Sequence, residues 1–456
     1  MKIPKRLVMT DTTHNELSVH LFPGDGLEAV AVLICSHAGA QNERLCVRQV
    51  LLIPPEHCSL RTKDRVSWPG EWIEAAIDKA EKQHGAIILM HSHPSGTYCF
   101  SAIDDASDQI TMRALSEAFA NQSVHHGSAI MTPDGLILAR LYDQDQNITA
   151  DLIPCVIGQE FEELTPQGQK YILPFSAEMR RRLSSQTACV VGVSGTGSIV
   201  AEQVLRLGFG RVIFIEFDKM EAKNINRILN STEEDARLGA AKVMIAERAA
   251  KQHRPDAIVE VYDSALASCP ALTAASGADV IFCCVDSIEG RHHCDLLAQA
   301  CLIPIVDIGV TIPTRRDPAK GTRIGDVCGR IDFIAPGASS LFDRGVVTPD
   351  GLQREYLQSV DPIALKDLEA DSYIKGAQEE APSVISLNMR AASAGVNEWL
   401  ARNFNIREEN NALYSRTLFS LAGCEEDYYA EADFPCSIKP TLGAGLGAVM
   451  QQLGVQ

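Results

Sequence analysis

The chain has 456 residues, of which 46% are hydrophobic and 22% charged, with a formal net charge of −18. That length gives two or three domains, each able to bury a core, and that charge excludes a nucleic-acid backbone or an anionic membrane as a partner. None of the 14 cysteines stands three positions from another, so zinc ribbons and C-x2-C redox motifs are absent. No apolar run is long enough to cross a membrane, and the first fifteen residues lack the apolar stretch of a signal peptide. Many unpaired cysteines without an export signal lead us to expect a cytoplasmic protein.

From about residue 17 to 141, short apolar runs read as strands at 29–35, 46–53, 86–90 and 135–142. Helical spacing covers 71–84, ending at Gly85, and 104–120, with an acidic first turn. At the end of the strand near 90 stands His91-Ser92-His93-Pro94, followed by Ser101 and Asp104. Histidines at i and i+2 of an extended segment point to the same side. With Asp104 they make three ligands for one zinc ion and leave a fourth position open, the arrangement of a catalytic site and not of an enclosed structural one. Such a site needs a general base and a donor for an oxyanion. Ser101 is placed to be that donor, or to cap the helix that follows. Spacing alone does not choose the base among Glu16, Glu28 and Glu43.

Regularity is lost over 143–170, which reads as the join between domains. Beyond it, strand–glycine turn–helix (188–210) leads to strands at 211–218, 256–263, 279–286 and 304–310, with helical stretches between them. This alternation predicts a doubly wound, mostly parallel sheet. The turn Gly192-x-x-Gly195-x-Gly197 offers main-chain N–H groups to phosphate, in an order that is not the dehydrogenase one. Glu216 and Asp218 end the second strand, followed by Asn224, Asn226, Arg227 and Lys242, and later by Asp286 and Arg291. The set suits ATP: Glu216 for ribose hydroxyls, Arg227 and Lys242 for the phosphates, and Asp286 for magnesium. A further helix reads over 388–404.

The first half resembles the JAB/MPN (JAMM) metalloproteases, which cleave after the C-terminal glycine of ubiquitin-like proteins. The resemblance rests on the His91–His93–Ser101–Asp104 motif and implies Glu28 as the general base. The second half, from about 170 to 320, resembles the E1/ThiF/MoeB superfamily, which adenylates that same C-terminal glycine. There "NINR" supplies Asn224 and Arg227, "LGAAKV" supplies Lys242, and "CCVDS" supplies Asp286.

The resemblances together imply an α/β protein of three parts. A JAB/MPN metalloprotease domain occupies 1–145, a linker 146–170, and a Rossmann-like, doubly wound ThiF/E1 adenylation domain 171–456. The implied function is zinc-dependent cleavage at the C-terminal glycine of a ubiquitin-like protein, then ATP- and magnesium-dependent adenylation of that end, as in bacterial-type fusions. A homodimer is expected, with an E2-like protein as a possible further partner. Two alternatives stay open: activation of a sulfur carrier, and one half kept as a binding scaffold.

Departures from the family pattern are definite. The Arg-Gln pair upstream of the glycine turn is missing; Lys170, Arg180, Arg181 or Arg182 must replace it, and a lysine lacks the bidentate fork. The superfamily's zinc site of two C-x2-C pairs is absent. No cysteine is marked for a thioester step: Ser383 stands near the expected place as an oxyester nucleophile or a helix cap, and Cys328 and Cys436 are the other candidates.

Overall fold

The computed structural model describes residues 5–122, 124–168, 170–312, 314–317, 321–324, 327–360, 384–404 and 406–455. The first half is a sheet built from β1 (Arg6–Thr10), β2 (Val30–Ala38), β3 (Arg44–Leu52), β6 (Ala86–Ser92), β7 (Gly127–Met131), β8 (Ile137–Tyr142), β9 (Ile148–Ile157) and β10 (Phe161–Glu163). A two-stranded hairpin, β4 (Leu60–Arg61) and β5 (Val66–Ser67), stands beside it. Strand order is β1-β3-β2-β6-β7-β8-β9-β10, and β9 pairs back onto β1 in parallel, from Arg6↔Ile153 to Thr10↔Ile157, which closes the sheet into a ring.

Strand alternation gives this ring two apolar faces. Leu7, Leu33, Ile88, Met90, Met131 and Leu141 fill one, where α1 (Asp11–Leu21) adds Leu17 and Leu21. Val30, Val32, Ile87 and Leu89 form the other, covered by Ala76 and Ala80 of α2 (Glu71–Glu81) and by Met112 and Leu115 of α3 (Ala102–Ala118).

The expected linker at 146–170 is mostly regular structure: β9 and β10 lie in it and complete the first sheet. Pro154 interrupts the strand pattern in sequence, because proline cannot donate to a ladder; it nevertheless sits opposite Leu7 of β1.

The second half is a sheet ordered β13-β12-β11-β14-β15-β18-β19-β20. Its parallel part is β11 (Thr187–Val191), β12 (Arg211–Ile215), β13 (Ile258–Tyr262), β14 (Val280–Cys283) and β15 (Ile305–Thr311). An antiparallel edge follows: β18 (Cys328–Ile334), β19 (Arg416–Ser420) and β20 (Glu425–Tyr429). Strands β16 (Thr314–Asp317) and β17 (Gly321–Ile324) form a separate hairpin. The central strands β11, β12 and β14 are apolar beyond the first residues Thr187 and Arg211, as burial on both faces requires. The helices are α4 (Ala177–Leu183), α5 (Gly195–Leu207), α6 (Glu233–Leu238), α7 (Lys242–His253), α8 (Cys269–Ala275), α9 (Ile288–Cys301), α10 (Pro349–Val360), α11 (Ile385–Asn403) and α12 (Gly445–Leu453). Helix α5 packs against α11 and α7. Among the described residues no helix is long and apolar enough to cross a membrane.

The two halves share a core. Val8, Ala38, Cys46, Cys155, Ile157 and Phe161 of the ring belong to the same apolar cluster as the second sheet. Around them, Arg6 Nε pairs with Asp279 Oδ1 at 2.7 Å, and Arg211 Nη1 with Glu43 Oε1 at 3.2 Å. Buried Arg44 donates to the carbonyls of Ala278, Cys301 and Leu302, the last two at the C-terminal end of α9, where a cation is favoured. These partners lie at the N-terminal ends of β12 and β14 and ahead of β15. The chain's last stretch enters the same seam: Ser36 Oγ donates to the Gly443 carbonyl, and α12 packs against α9 and β2.

A histidine pair near this seam makes the fold sensitive to acid. His126 is buried and its Nδ1 accepts the Ile87 N–H at 3.1 Å, so that nitrogen must be unprotonated. Burial, then His37 and His125, push it down to about 4; burial, His125 and Lys5 do the same to His37. The unfolded chain therefore binds more protons between the usual histidine value and pH 4, so stability is complete above about pH 6.5 and drains as pH falls toward 4. For His126 the loss is on the order of 3 kcal/mol. A His126→Asn variant, whose side-chain oxygen can take the Ile87 N–H, is expected to lose less between pH 7 and pH 5 than wild type, read as urea midpoints. An equal loss would remove His126 from this account.

Candidate functional site

Register builds the first site. Strands β2 and β6 are antiparallel with Val30 opposite His91, and the pairing continues as Ser92 N–H donates to the Ala29 carbonyl at 2.9 Å. Glu28, two residues before Val30, therefore falls on the face of His91 and His93. Its backbone is held by the Thr62 carbonyl and by Arg61 Nε, each at 2.8 Å. Asp104 arrives from the first turn of α3, where the helix N-terminus favours an anion.

The ligand atoms converge. His91 Nε2 and His93 Nε2 are 3.1 Å apart; Asp104 Oδ1 lies 3.3 Å from the first and Oδ2 3.5 Å from the second. An ion held tetrahedrally at ~2.0–2.1 Å from each ligand separates them by about 3.3–3.4 Å; these spacings are close to that, with Asp104 presenting a different oxygen to each histidine. One atom each of Glu28, His91 and His93 also fall within 4.8 Å of one another. His93 Nδ1 faces the Thr97 carbonyl at 2.9 Å, which holds a proton on Nδ1, so Nε2 is the nitrogen that a metal would take in place of its hydrogen bond to Asp104.

Burial raises Glu28 above the usual carboxylate range, opposed by His91 and His93. Burial alone would also raise Asp104, but hydrogen bonds from both histidines and the Ser101 N–H carry it well below that range. For His93, burial lowers and Asp104 with the Thr97 carbonyl raises, and the raising contributions prevail. Ser101 is the N-cap of α3. Its Oγ accepts the Asp104 N–H at 3.2 Å while its own N–H donates to Asp104 Oδ2 at 2.6 Å. The structure shows the cap; because the hydroxyl is an acceptor there, its proton stays available to a second acceptor. Glu16 is exposed on α1, and Glu43 is paired with Arg211 at the seam.

The second site lies at the C-terminal ends of β11, β12 and β14, where strand order reverses. Gly192 has φ +85°, and a Cβ there would stand 2.9 Å from the Cys284 carbonyl. A Cβ on Gly197 would stand 1.7 Å from the Gly192 oxygen, so no other residue fits this turn. Ser194 at the N-cap of α5 makes no side-chain cap bond, leaving the first-turn N–H groups to face the crevice.

Glu216 is buried, and burial raises its carboxyl. Its oxygens accept the N–H groups of Val193 (3.1 Å), Phe217 (2.9 Å) and Asp218 (3.0 Å), which ties the glycine turn to the tip of β12. Lys242 Nζ lies 2.8 Å from Asp218 Oδ2. Buried Asn224 accepts the Glu221 N–H at 3.1 Å and shapes the loop that carries half-buried Arg227. Arg227 donates to the Lys223 carbonyl at 2.9 Å, and its aliphatic carbons border Gly195. Asp286 is exposed just beyond β14, its carbonyl taken by Arg291 Nη1 at 3.0 Å.

One neighbour of this crevice escaped the sequence. Asn388 of α11 is buried with its Nδ2 2.5 Å from where a Gly195 Cβ would be. The helix is legible, but nothing in the chain between ties it to the glycine turn.

Of the candidates for the missing arginine, Arg182 is engaged with Glu163 at 3.3 Å and Arg181 with Glu178, while Arg180 is exposed with its Cγ against Gly208. Lys170 is exposed on a cleft of about 310 Å³ shared with Glu163, Tyr171 and Arg402. Ser383 lies outside the described residues. Cys328 is half-buried at the start of β18, and Cys436 is exposed with its Sγ 3.5 Å from the Gly337 carbonyl.

Residues 11–139 match the model of prokaryotic homologs of the JAB domain, and residues 169–323 that of the ThiF family. The chain is similar to ubiquitin-like modifier-activating enzyme 5 of Gallus gallus, at 27% identity over 35% of this chain and 40% of that protein. With the Drosophila persimilis enzyme of the same name it shares 26% identity over 44% of this chain and 53% of that protein. The chain thus spans about half or less of the length of these E1-like relatives. Among solved structures, E. coli MccB with ATP superposes over 58% of this chain and 68% of that one, at 14% identity and a TM-score of 0.42. The chain joins a domain of the prokaryotic JAB homologs to a domain of the ThiF family.

Proposed function

We propose that the protein both processes and activates a ubiquitin-like protein, hydrolysing the bond after its C-terminal glycine and then adenylating the carboxylate so exposed. The observation that carries the first activity is the convergence of His91, His93 and Asp104, with nitrogen–nitrogen and nitrogen–oxygen spacings of 3.1 to 3.5 Å. Zinc held there supplies Lewis acidity and brings the pKa of water near 7. Glu28, close by and raised by burial, takes the proton of the attacking water and returns it to the leaving amine. The Ser101 hydroxyl donates to the oxyanion that forms on the scissile carbonyl.

In the second site the ThiF match and the glycine turn support ATP as substrate and Asp286 as the holder of magnesium. The glycine carboxylate attacks the α-phosphorus, the bond to the bridging oxygen breaks, and pyrophosphate leaves. Arg227 and Lys242 neutralise the charge that builds, Lys242 turning from Asp218 to the phosphates. The E1-like relatives support a ubiquitin-like carrier ending in glycine; a homodimer and an E2-like acceptor belong to the same proposal.

ATP–pyrophosphate exchange with ubiquitin-like proteins ending in glycine tests the adenylation. We expect exchange in wild type and a loss of about 10²-fold or more in Asp286→Ala, the scale of removing one transition-state contact. Equal exchange by the two proteins would sink the assignment.

A further inference from the structure

The halves are docked so that their two centres face opposite ways. In the ring, His91 and His93 close the C-terminal end of β6, whereas the seam is made by its other end. Cys35 opposite Ala86, then Ser36, Ala38, Gly39, Glu43 and Arg44 are the residues at or near it. Across the seam, the contacts fall on Ser185, Arg211 and Asp279, at or just before the N-terminal ends of β11, β12 and β14. Gly192, Glu216 and Asp286 lie at the opposite ends of those strands.

Strand rise gives the scale. At about 3.3 Å per residue, β3 from Arg44 to Leu52 spans ~26 Å and β11 a further ~13 Å, so the path along the strands from one centre to the other is roughly 40 Å. A flexible tail would need about twelve fully extended residues to cover that path. The seam offers no hinge to shorten this path, because one apolar core runs through both halves and Arg6, Arg44 and Arg211 are buried across it.

We infer that the two centres work back to back: each chain holds two carrier proteins at once, and a carrier freed at the metal centre passes through solvent before it is adenylated. This rests on the two activities proposed above, which cleavage and exchange assays on wild type test separately. The fused chain therefore fixes the ratio of the two activities without passing the substrate between them.

An isotope-dilution experiment reads the path. A ubiquitin-like protein ending in glycine is isotopically labelled, extended by a short peptide, and given to the full chain with zinc, magnesium, ATP and excess unlabelled mature form. Mass spectrometry follows the acyl-adenylate. We expect its labelled share to equal that of the free mature carrier at every time point; an early excess of label overturns the inference. A second measurement needs no carrier. With a fluorescent ATP analogue bound, replacing zinc by cobalt(II) is expected to leave the emission unchanged, and quenching specific to cobalt would place the centres side by side.

Discussion

His93→Ala is expected to strip the protein of stoichiometric zinc and abolish cleavage of a glycine-extended ubiquitin-like protein, while pyrophosphate exchange stays within about twofold of wild type. Loss of a group that only supports a ligand costs about 10–100-fold in affinity or activity; His93 is itself one of the three convergent atoms, so its removal is expected to cost more. The imidazole also bridges the Thr97 carbonyl and Asp104, and without it Asp104 loses one of the two partners that keep it ionised in a buried setting. Glu28→Gln separates holding from proton transfer. It is expected to retain zinc and lose cleavage by roughly 10²–10⁴-fold, the usual contribution of a general base. Zinc by elemental analysis and cleavage by mass spectrometry check both; normal cleavage by His93→Ala would remove the metal assignment.

Asp279→Ala is expected to be the most damaging change outside the two sites. Asp279 accepts Arg6 at 2.7 Å and the Thr187 N–H at 2.8 Å, with Arg44 at 3.6 Å, and all of these groups are buried. Removing it leaves two guanidinium groups out of water with one fewer counter-charge, a loss of about 3–5 kcal/mol. Arg181→Ala, which breaks the exposed pair with Glu178, is the matched control and is expected to cost under about 1 kcal/mol. Urea unfolding of both proteins decides the matter. Similar midpoints would mean that the seam is hydrated and its ion pairs count for little.

Sequence reading went furthest where chemistry and local geometry coincide. The alternation of His91 and His93, the cap at Ser101 and the glycine turn are all set within a few residues, so their side chains could be placed from spacing. What was not legible depends on pairing across long stretches of chain. Strand β1 is five residues long, and β9 carries Asp151 and Pro154; neither stands out until each finds the other. Glu28, Glu16 and Glu43 are equivalent in spacing, and only the antiparallel register of β2 and β6 puts Glu28 beside the histidines. Asp279 and Arg44 look like ordinary surface charges in sequence, because the partner that buries each lies in the other half.

That register has one more consequence. Side chains alternate along a strand with a period of two, so a slip of one residue between β2 and β6 would carry Glu28 to the opposite face from the histidines. Asp104 depends in turn on α3 covering the correct side of the ring. An ion bound by this set thus acts as an inspector of the fold: metal content at the end of refolding counts the molecules whose ring has closed in register, before any substrate is added.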